Sequence, residues 1–235
     1  MQKERFKNKM RYDLHIHSKY STDGVLDPEK IVKIAIKREL NGIAITDHNT
    51  IKGGIKTKKY ERVDFQIVVG SEIMTECGEI IGLFLTEEVK SREVQGVISE
   101  IRDQNGIIVI PHPFDELRRS AAHPKEEDVK FIDCIEGFNS RCIYKKYNNK
   151  AVEFAMKHNL TVTAGSDAHF SNEIGNAGII TGTEDIRESL IKNDIMIFGK
   201  RSPLVNHVGT KMLKYFKSIS ARPSPSTTNQ SSRRS

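Results

Sequence analysis

Between Asp13 and His17 polar and apolar side chains alternate, Asp-Leu-His-Ile-His, the two-residue period of a β-strand lying on an apolar layer. In such a strand Leu14 and Ile16 share one face, and His15 and His17 share the other. A helical period follows Asp27-Pro28-Glu29, where Ile31, Ile34, Ala35 and Leu40 form one stripe. Asp27 is suited to cap the free N–H groups, Pro28 to the first helical position, and Asn41-Gly42 to the stop. Ile43-Ala44-Ile45 then reads as a short buried strand running into Thr46-Asp47-His48. Further strands are predicted over 65–69, 80–85 (after a turn at Gly78), 107–110, 133–135 and 161–163, and helices over 93–104 and 149–158. After His169 the pattern gives a loop over 171–176, a strand remnant at Ile179-Ile180, a helix over 184–192 and a basic helix over 211–219. No internal repeat is present.

Strands alternating with helices predict an α/β fold with a largely parallel sheet, and the lack of a GxGxxG turn argues against a dinucleotide-binding sheet. The polar residues choose between architectures. His15/His17, Asp47/His48, Glu72, His112, Glu136 and Asp167/His169 each fall at the C-terminal end of a predicted strand. In a closed barrel those ends meet at one rim, where such barrels carry their chemistry. Six strands ending this way by accident is the poorer explanation.

Composition adds a few bounds. The chain of 235 residues, 37% hydrophobic and without Trp, suits one barrel-sized domain. No apolar run approaches the ~20 residues of a membrane span, and no signal-like stretch follows the N-terminus, so a cytoplasmic protein is expected. Cys77, Cys134 and Cys142 form no CxxC pair and read as reduced thiols. The net charge of +6 divides into +4 over 1–11, +8 over 200–235 and −6 over 12–199. The acidic body suits a carboxylate site for divalent cations, and the basic ends suit either solvated tails or a weak nucleic-acid contact. The expected organisation is a basic N-terminal extension (1–11), a barrel domain (12–200), a basic C-terminal segment (201–220) and a disordered Ser/Pro/Thr/Arg-rich tail (221–235).

Imidazoles and carboxylates without thiolates favour Mn, Fe or Zn, with Mg also admissible. The donors are too many for one tetrahedral ion, so at least two divalent metals are expected, with a carboxylate bridging. Metals about 4 Å apart activate a hydroxide and clamp phosphoryl oxygens. The residues thus point to a multinuclear metallohydrolase, with a phosphoester preferred over a carboxamide.

Asp13-Leu-His-Ile-His-Ser18, Ile45-Thr-Asp-His48, Gly70-Ser-Glu72, Pro111-His-Pro113 and Gly165-Ser-Asp-Ala-His169, in this order over about 12–170, resemble the polymerase and histidinol phosphatase (PHP) family. The resemblance implies a distorted (β/α)7 TIM-like barrel with a metal cluster at the C-terminal rim. It also implies hydrolysis of a phosphomonoester, or of a nucleotide or oligonucleotide end, by a metal-activated hydroxide. Carried over by motif, His15, His17, Glu72 and Asp167 hold the first metal. Glu72 bridges to a second shared with His112, and Asp23, His48 and His169 hold a third. Glu72, His48, Asp167 and His169 are then the catalytic set. The sequence departs from the commonest pattern at Gly78-Glu79-Ile80, where many members carry a His; Glu79 there favours a harder ion. Asp23 stands one residue further from the His pair than in the smallest members.

Asp47 and Glu136 are expected to orient ligands from behind. Asn139, Arg141 and Arg118 are candidates for substrate phosphate. His123, His158 and His207 read as surface or structural residues. Two other readings stay open: a PHP-like nucleic-acid-binding subunit without catalysis, of the kind found in RNase P, and an amidohydrolase-type metallohydrolase. The second shares the HxH pair but calls for a bridging Lys that no strand end here supplies.

Overall fold

The computed structural model describes residues 9–220. The expectations for residues 1–8 and for the tail at 221–235 lie outside the described residues. β1 (Met10–Ile16) leads to α1 (Pro28–Lys37), where Asp27 accepts from the Glu29 N–H at 3.1 Å and Pro28 takes the first turn as expected. The helix stops at Lys37, ahead of Asn41-Gly42, because Glu39 turns into the left-handed region (φ 57°). Asn41 instead ties the start of β2 (Gly42–Ile45) to β1, exchanging backbone and side-chain hydrogen bonds with Arg11.

α2 (Lys52–Lys58), absent from the sequence reading, follows. Its Gly53-Gly54 pair lowers helix propensity yet is what lets the helix dock. A Cβ on Gly53 would lie 1.8 Å from Asp47 Oδ2, and one on Gly54 would lie 2.9 Å from Val69 Cγ1. β3 (Gln66–Thr75) runs past the predicted strand end into a hairpin with β4 (Gly78–Leu83). Then come α3 (Val94–Asp103), β5 (Ile107–Ile110), β6 (Cys134–Asn139), α4 (Lys145–Lys157) and β7 (Thr161–Gly165). β8 (Ala177–Thr181), α5 (Ile186–Ile191), β9 (Ile195–Gly199) and α6 (Leu204–Ser220) complete the described chain.

The sheet order is β7-β6-β5-β4-β3-β2-β1-β8-β9, curled into a nearly closed barrel. The expected seven-stranded barrel is therefore present, set in a sheet of nine strands. Strands β1 to β7 make the ring, and its seam is a parallel bridge between Ile16 and Ala168 in which the His17 N–H donates to the Ala168 carbonyl at 2.9 Å. β8 and β9 extend antiparallel from the start of β1. β4 is also antiparallel to both neighbours, which is the distortion of the barrel. The hairpin turn falls at the rim, so β3 rising and β4 descending both present carboxylates there, Glu72 and Glu79.

An apolar plug including Tyr12, Leu14, Ala44, Val68, Ile81, Val109 and Cys134 fills the interior below the rim, and Ile186 and Leu190 of α5 join it. Two outer layers pack α1 against one side of the ring and α3 with α4 against another. Leu14 belongs to the plug and Ile16 to the α1 layer, which overturns the single shared face expected for them. The reason is local: β1 shifts register against β2 between Asp13 and Ile16, breaking the strict alternation.

Candidate metal centre

Each ring strand delivers its polar side chains to one buried point. His15 Nε2 and His17 Nε2 lie 3.2 Å apart, so the two imidazoles converge despite the irregular strand. Glu72 sits between them and two others. Its Oε1 is 3.0 Å from His112 Nε2 and 3.5 Å from His15 Nε2, while its Oε2 is 3.1 Å from His48 Nδ1 and 3.4 Å from His17 Nε2. Glu79 joins from β4, 3.4 Å from His48 Nδ1 and 3.5 Å from His112 Nε2. Asp23, carried by the loop after β1, places Oδ2 2.9 Å from His169 Nε2 and 3.2 Å from His48 Nε2. Asp167 Oδ1 lies 3.3 Å from His17 Nε2 and 3.7 Å from His15 Nε2. All nine residues expected as ligands are thus brought together.

Three overlapping groups could each hold an ion: His17, Asp23, His48 and His169; His15, His17 and Asp167; His48, Glu72 and Glu79. The donor chemistry fits divalent cations, since lone pairs of nitrogen and oxygen converge with no sulfur among them. Backbone strain accompanies them: His112 (φ 31°) and Asp167 (φ 54°) are both in the left-handed region that non-glycine residues avoid.

The electrostatics follow from packing acids against imidazoles in a dry pocket. Burial alone would lower His15, but Glu136, Glu72 and Asp167 outweigh it and hold it well above its ordinary value. For His48 the same opposition, with Glu72 and Asp23 prevailing over burial, gives a pKa of about 9. His17 goes the other way, to about 3, through burial and the neighbouring His169. Asp23, Glu72 and Asp167 are held well below the carboxylate range, the facing cations outweighing burial. Burial and Glu72 push Glu79 up.

Behind the donors, Glu136 accepts from His15 Nδ1 at 2.9 Å, from the His112 N–H at 2.8 Å and from Asn139 Nδ2 at 2.9 Å. The first bond fixes the His15 tautomer and turns its Nε2 lone pair inward. Glu136→Gln weakens that hold. Metal affinity is expected to fall about 10–100-fold, the usual cost of losing an outer hydrogen-bond partner, with little change in melting temperature; titration with Mn2+ checks it. Asp47, expected to orient an imidazole, instead accepts from the Ser18 N–H and hydroxyl, both at 2.6 Å, and so fixes the loop leaving the His pair.

Arg118 faces the site, its Nη1 2.7 Å from Asp167 Oδ2 and its Nη2 donating to Asn139 Oδ1 at 3.3 Å. Arg141 lines the cleft, but its guanidinium is engaged by Glu173 at 2.9 Å and by Thr210 Oγ1 at 2.9 Å. Three buried acids escaped the sequence reading. Glu173 accepts from the His169 and Phe170 N–H groups at 3.0 and 3.1 Å, and so holds the His169 loop. Asp115 pairs with Arg118 at 3.2 Å. Asp13 accepts from the Ser166 and Gly175 N–H groups across the seam, and burial raises it to about 6. Of these only Asp13 carried a signal, its place two residues before His15. His207, read as surface or structural, lines the cleft over the donors, whose volume is about 230 Å3.

Comparison with known proteins agrees with this geometry. The model of the PHP domain matches residues 13–200. Uncharacterized protein MJ1587 of Methanocaldococcus jannaschii is 45% identical over 160 residues, covering 63% of this chain and 92% of that protein. Among solved structures, a two-domain protein from Bacteroides vulgatus containing a predicted PHP-like metal-dependent phosphoesterase superposes with a TM-score of 0.70 at 19% identity, covering 82% of this chain. This chain spans 65% of that one, less than two thirds. The lesion-specific endonuclease PfuEndoQ of Pyrococcus furiosus shares the fold at a TM-score of 0.56 and 15% identity, over 92% of this chain and 72% of its own. Among the described residues no helix is long and apolar enough to cross a membrane.

Proposed function

This chain belongs to the PHP-domain family, and from that premise we propose that it is a metal-dependent phosphoesterase acting on a phosphomonoester or on a nucleotide or oligonucleotide end. One observation carries the reading: each oxygen of the Glu72 carboxylate faces two imidazoles. A carboxylate so flanked suits a bridge between two divalent ions. His15, His17 and Asp167 would hold one ion with Glu72, His112 and Glu79 the second, and Asp23, His48 and His169 a third. Divalent ions bound there would supply Lewis acidity toward phosphoryl oxygens and acidify water.

The chain's own residues position and neutralise. Glu136 keeps the proton on His15 Nδ1. Asn139 bridges Glu136 and Asp167 through its amide, at 2.9 and 3.3 Å. Arg118, partly exposed at the cleft, is held by Asp115, Asp167 and Asn139, and would meet a substrate oxygen through the N–H groups those bonds leave over, whereas Arg141 acts through Glu173 on the His169 loop. The deciding experiment is elemental analysis of the purified protein coupled to hydrolysis of 4-nitrophenyl phosphate with and without added manganese. Two to three ions per chain and manganese-stimulated turnover are expected. A metal-free, inactive protein that manganese does not restore, yet which binds RNA in a salt-dependent and chelator-insensitive way, would overturn the reading in favour of a binding subunit.

The same site predicts how metal affinity depends on pH. Because His15 and His48 are raised above their ordinary 6.5, His48 to about 9, both are protonated in the metal-free protein near neutrality. For His48 this contribution to metal-free stability is complete below 6.5 and is lost as pH rises through about 9, and His15 contributes with the same sign. Ions must displace those protons, so affinity is expected to tighten by about tenfold per pH unit for each proton released. Calorimetry of Mn2+ binding between pH 6.5 and 9 in buffers of different ionisation enthalpy counts the protons. A flat profile would contradict the assignment of these two imidazoles.

A further inference from the structure

Nine of the residues lining the donor cleft belong to the barrel, and two, His207 and Thr210, come from α6, beyond the last residue that the family model matches. The helix is fastened over the cleft. Thr210 Oγ1 accepts from Arg141 Nη2 at 2.9 Å, Asn206 Nδ2 donates to Asn172 Oδ1 at 3.1 Å, and the Ser202 N–H donates to the Ser140 carbonyl at 2.8 Å. His207 is therefore carried on a wall of the cleft by an element docked at several points.

The cleft has a depth order. Asp23, Glu72 and Asp167 at its floor are each 1% exposed, while His48, Arg118 and His207 are partly exposed nearer the mouth. A phosphate ester whose phosphoryl group is held at the floor directs its alcohol portion toward the mouth, because the floor is closed by the apolar plug. That portion then meets His207.

Resting on the phosphoesterase reading, we propose that His207 is a specificity residue: its imidazole hydrogen-bonds the alcohol portion of the ester. It selects alcohols that carry hydroxyl or ring-nitrogen groups, as in sugar and nucleoside phosphates, over simple aryl phosphates. Burial, and then Arg141 and Arg118, lower the ring to about 4. At neutral pH it therefore offers one donor and one acceptor without charge, which matches an uncharged alcohol better than a phosphate.

The test uses the full-length manganese-loaded protein, wild type against His207→Ala and His207→Gln, with three probes: adenosine 5′-monophosphate, 4-nitrophenyl phosphate and inorganic phosphate. For His207→Ala, KM and the calorimetric dissociation constant for the nucleotide are expected to rise about tenfold, the worth of one hydrogen bond. The KM for the aryl phosphate, whose ring meets His207 without its hydroxyl or ring-nitrogen partners, should rise by clearly less, and inorganic phosphate, which has no alcohol portion, should bind within about twofold of wild type, with metal content unaltered. His207→Gln, which keeps a donor and an acceptor, should recover part of the loss. Equal losses on all three probes, or falling metal content, would make His207 a structural or ligating residue, and no change on any probe would remove it from the site; either result overturns the proposal. A loaded wild-type protein that neither binds phosphate nor hydrolyses any ester would bring down the phosphoesterase reading first, and this inference with it.

Discussion

Glu72→Gln is expected to leave the barrel folded and the centre crippled. The substitution keeps the size and shape of the side chain and removes one negative charge from among four imidazoles within 3.5 Å. The amide presents a donor where two lone pairs were required, so it cannot bridge. Bound metal should fall by at least one ion per chain. Turnover should fall by at least about 10²–10³-fold, the loss typical of removing one preorganised electrostatic group. Metal content and turnover measured on one preparation, with circular dichroism to verify the fold, check it. A fully metallated Glu72→Gln protein turning over at the wild-type rate would sink both the bridge and the catalytic assignment.

Gly165→Ala should damage the site from behind. Gly165 ends β7 at the seam, and a Cβ there would lie 2.3 Å from His15 Cβ, 2.8 Å from Glu136 Oε1 and 3.1 Å from the His15 nitrogen. Two of those atoms are fixed close to the backbone of β1, so relief requires β7 and β1 to part where the ring closes. Overpacking of this kind costs about 1–3 kcal/mol, or roughly 2–4 °C of melting temperature per kcal/mol in a chain of this size. The same movement separates His15 from Glu136, adding a loss of metal affinity of about 10–100-fold. Gly137→Ala is the control. Its Cβ would meet Val162 Cγ1 at 2.4 Å and Val152 Cγ2 at 2.9 Å, so it strains the outer layer without touching a donor. Thermal melts alone would not separate the two variants, whereas Mn2+ titration should. Equal metal affinity in both would refute the seam argument.

The contrast between these two positions reflects what a sequence can carry. His112 and the Asp167/His169 pair were legible because each stands just past a strand end, and Glu72 because β3 crosses the rim there before turning into its hairpin, so that position along the chain has a spatial meaning. Even the irregular β1, whose register shift sends Leu14 and Ile16 to different layers, did not hide its imidazoles, since both still reach the rim. Glu173 and Asp115 were not legible: each lies in a loop, and its role depends on which N–H groups or guanidinium the loop happens to meet. Arg141 illustrates the same limit, for an Arg near a rim reads as a phosphate ligand until Glu173 and Thr210 are seen to occupy it. α2 was missed because a Gly-Gly pair reads as a break when nothing in the sequence reveals that Asp47 and Val69 press against it. Strands β8 and β9 continue the sheet from β1 through antiparallel pairing, which the helix-strand alternation of the rest gave no reason to expect.

A ring whose seam joins Ile16 to Ala168 cannot be sealed until Ala168 has left the ribosome. His15 and His17 leave the exit tunnel long before Asp167 and His169 have been added. Through that interval they are loose chelators in an open sheet, with the affinity of a short peptide. The donor set is complete only when β7 meets β1, so metal binding would be coupled to closure of the ring. Ions filling such a centre would then be chosen by the donors of the closed ring, and not by what the first two imidazoles encounter alone.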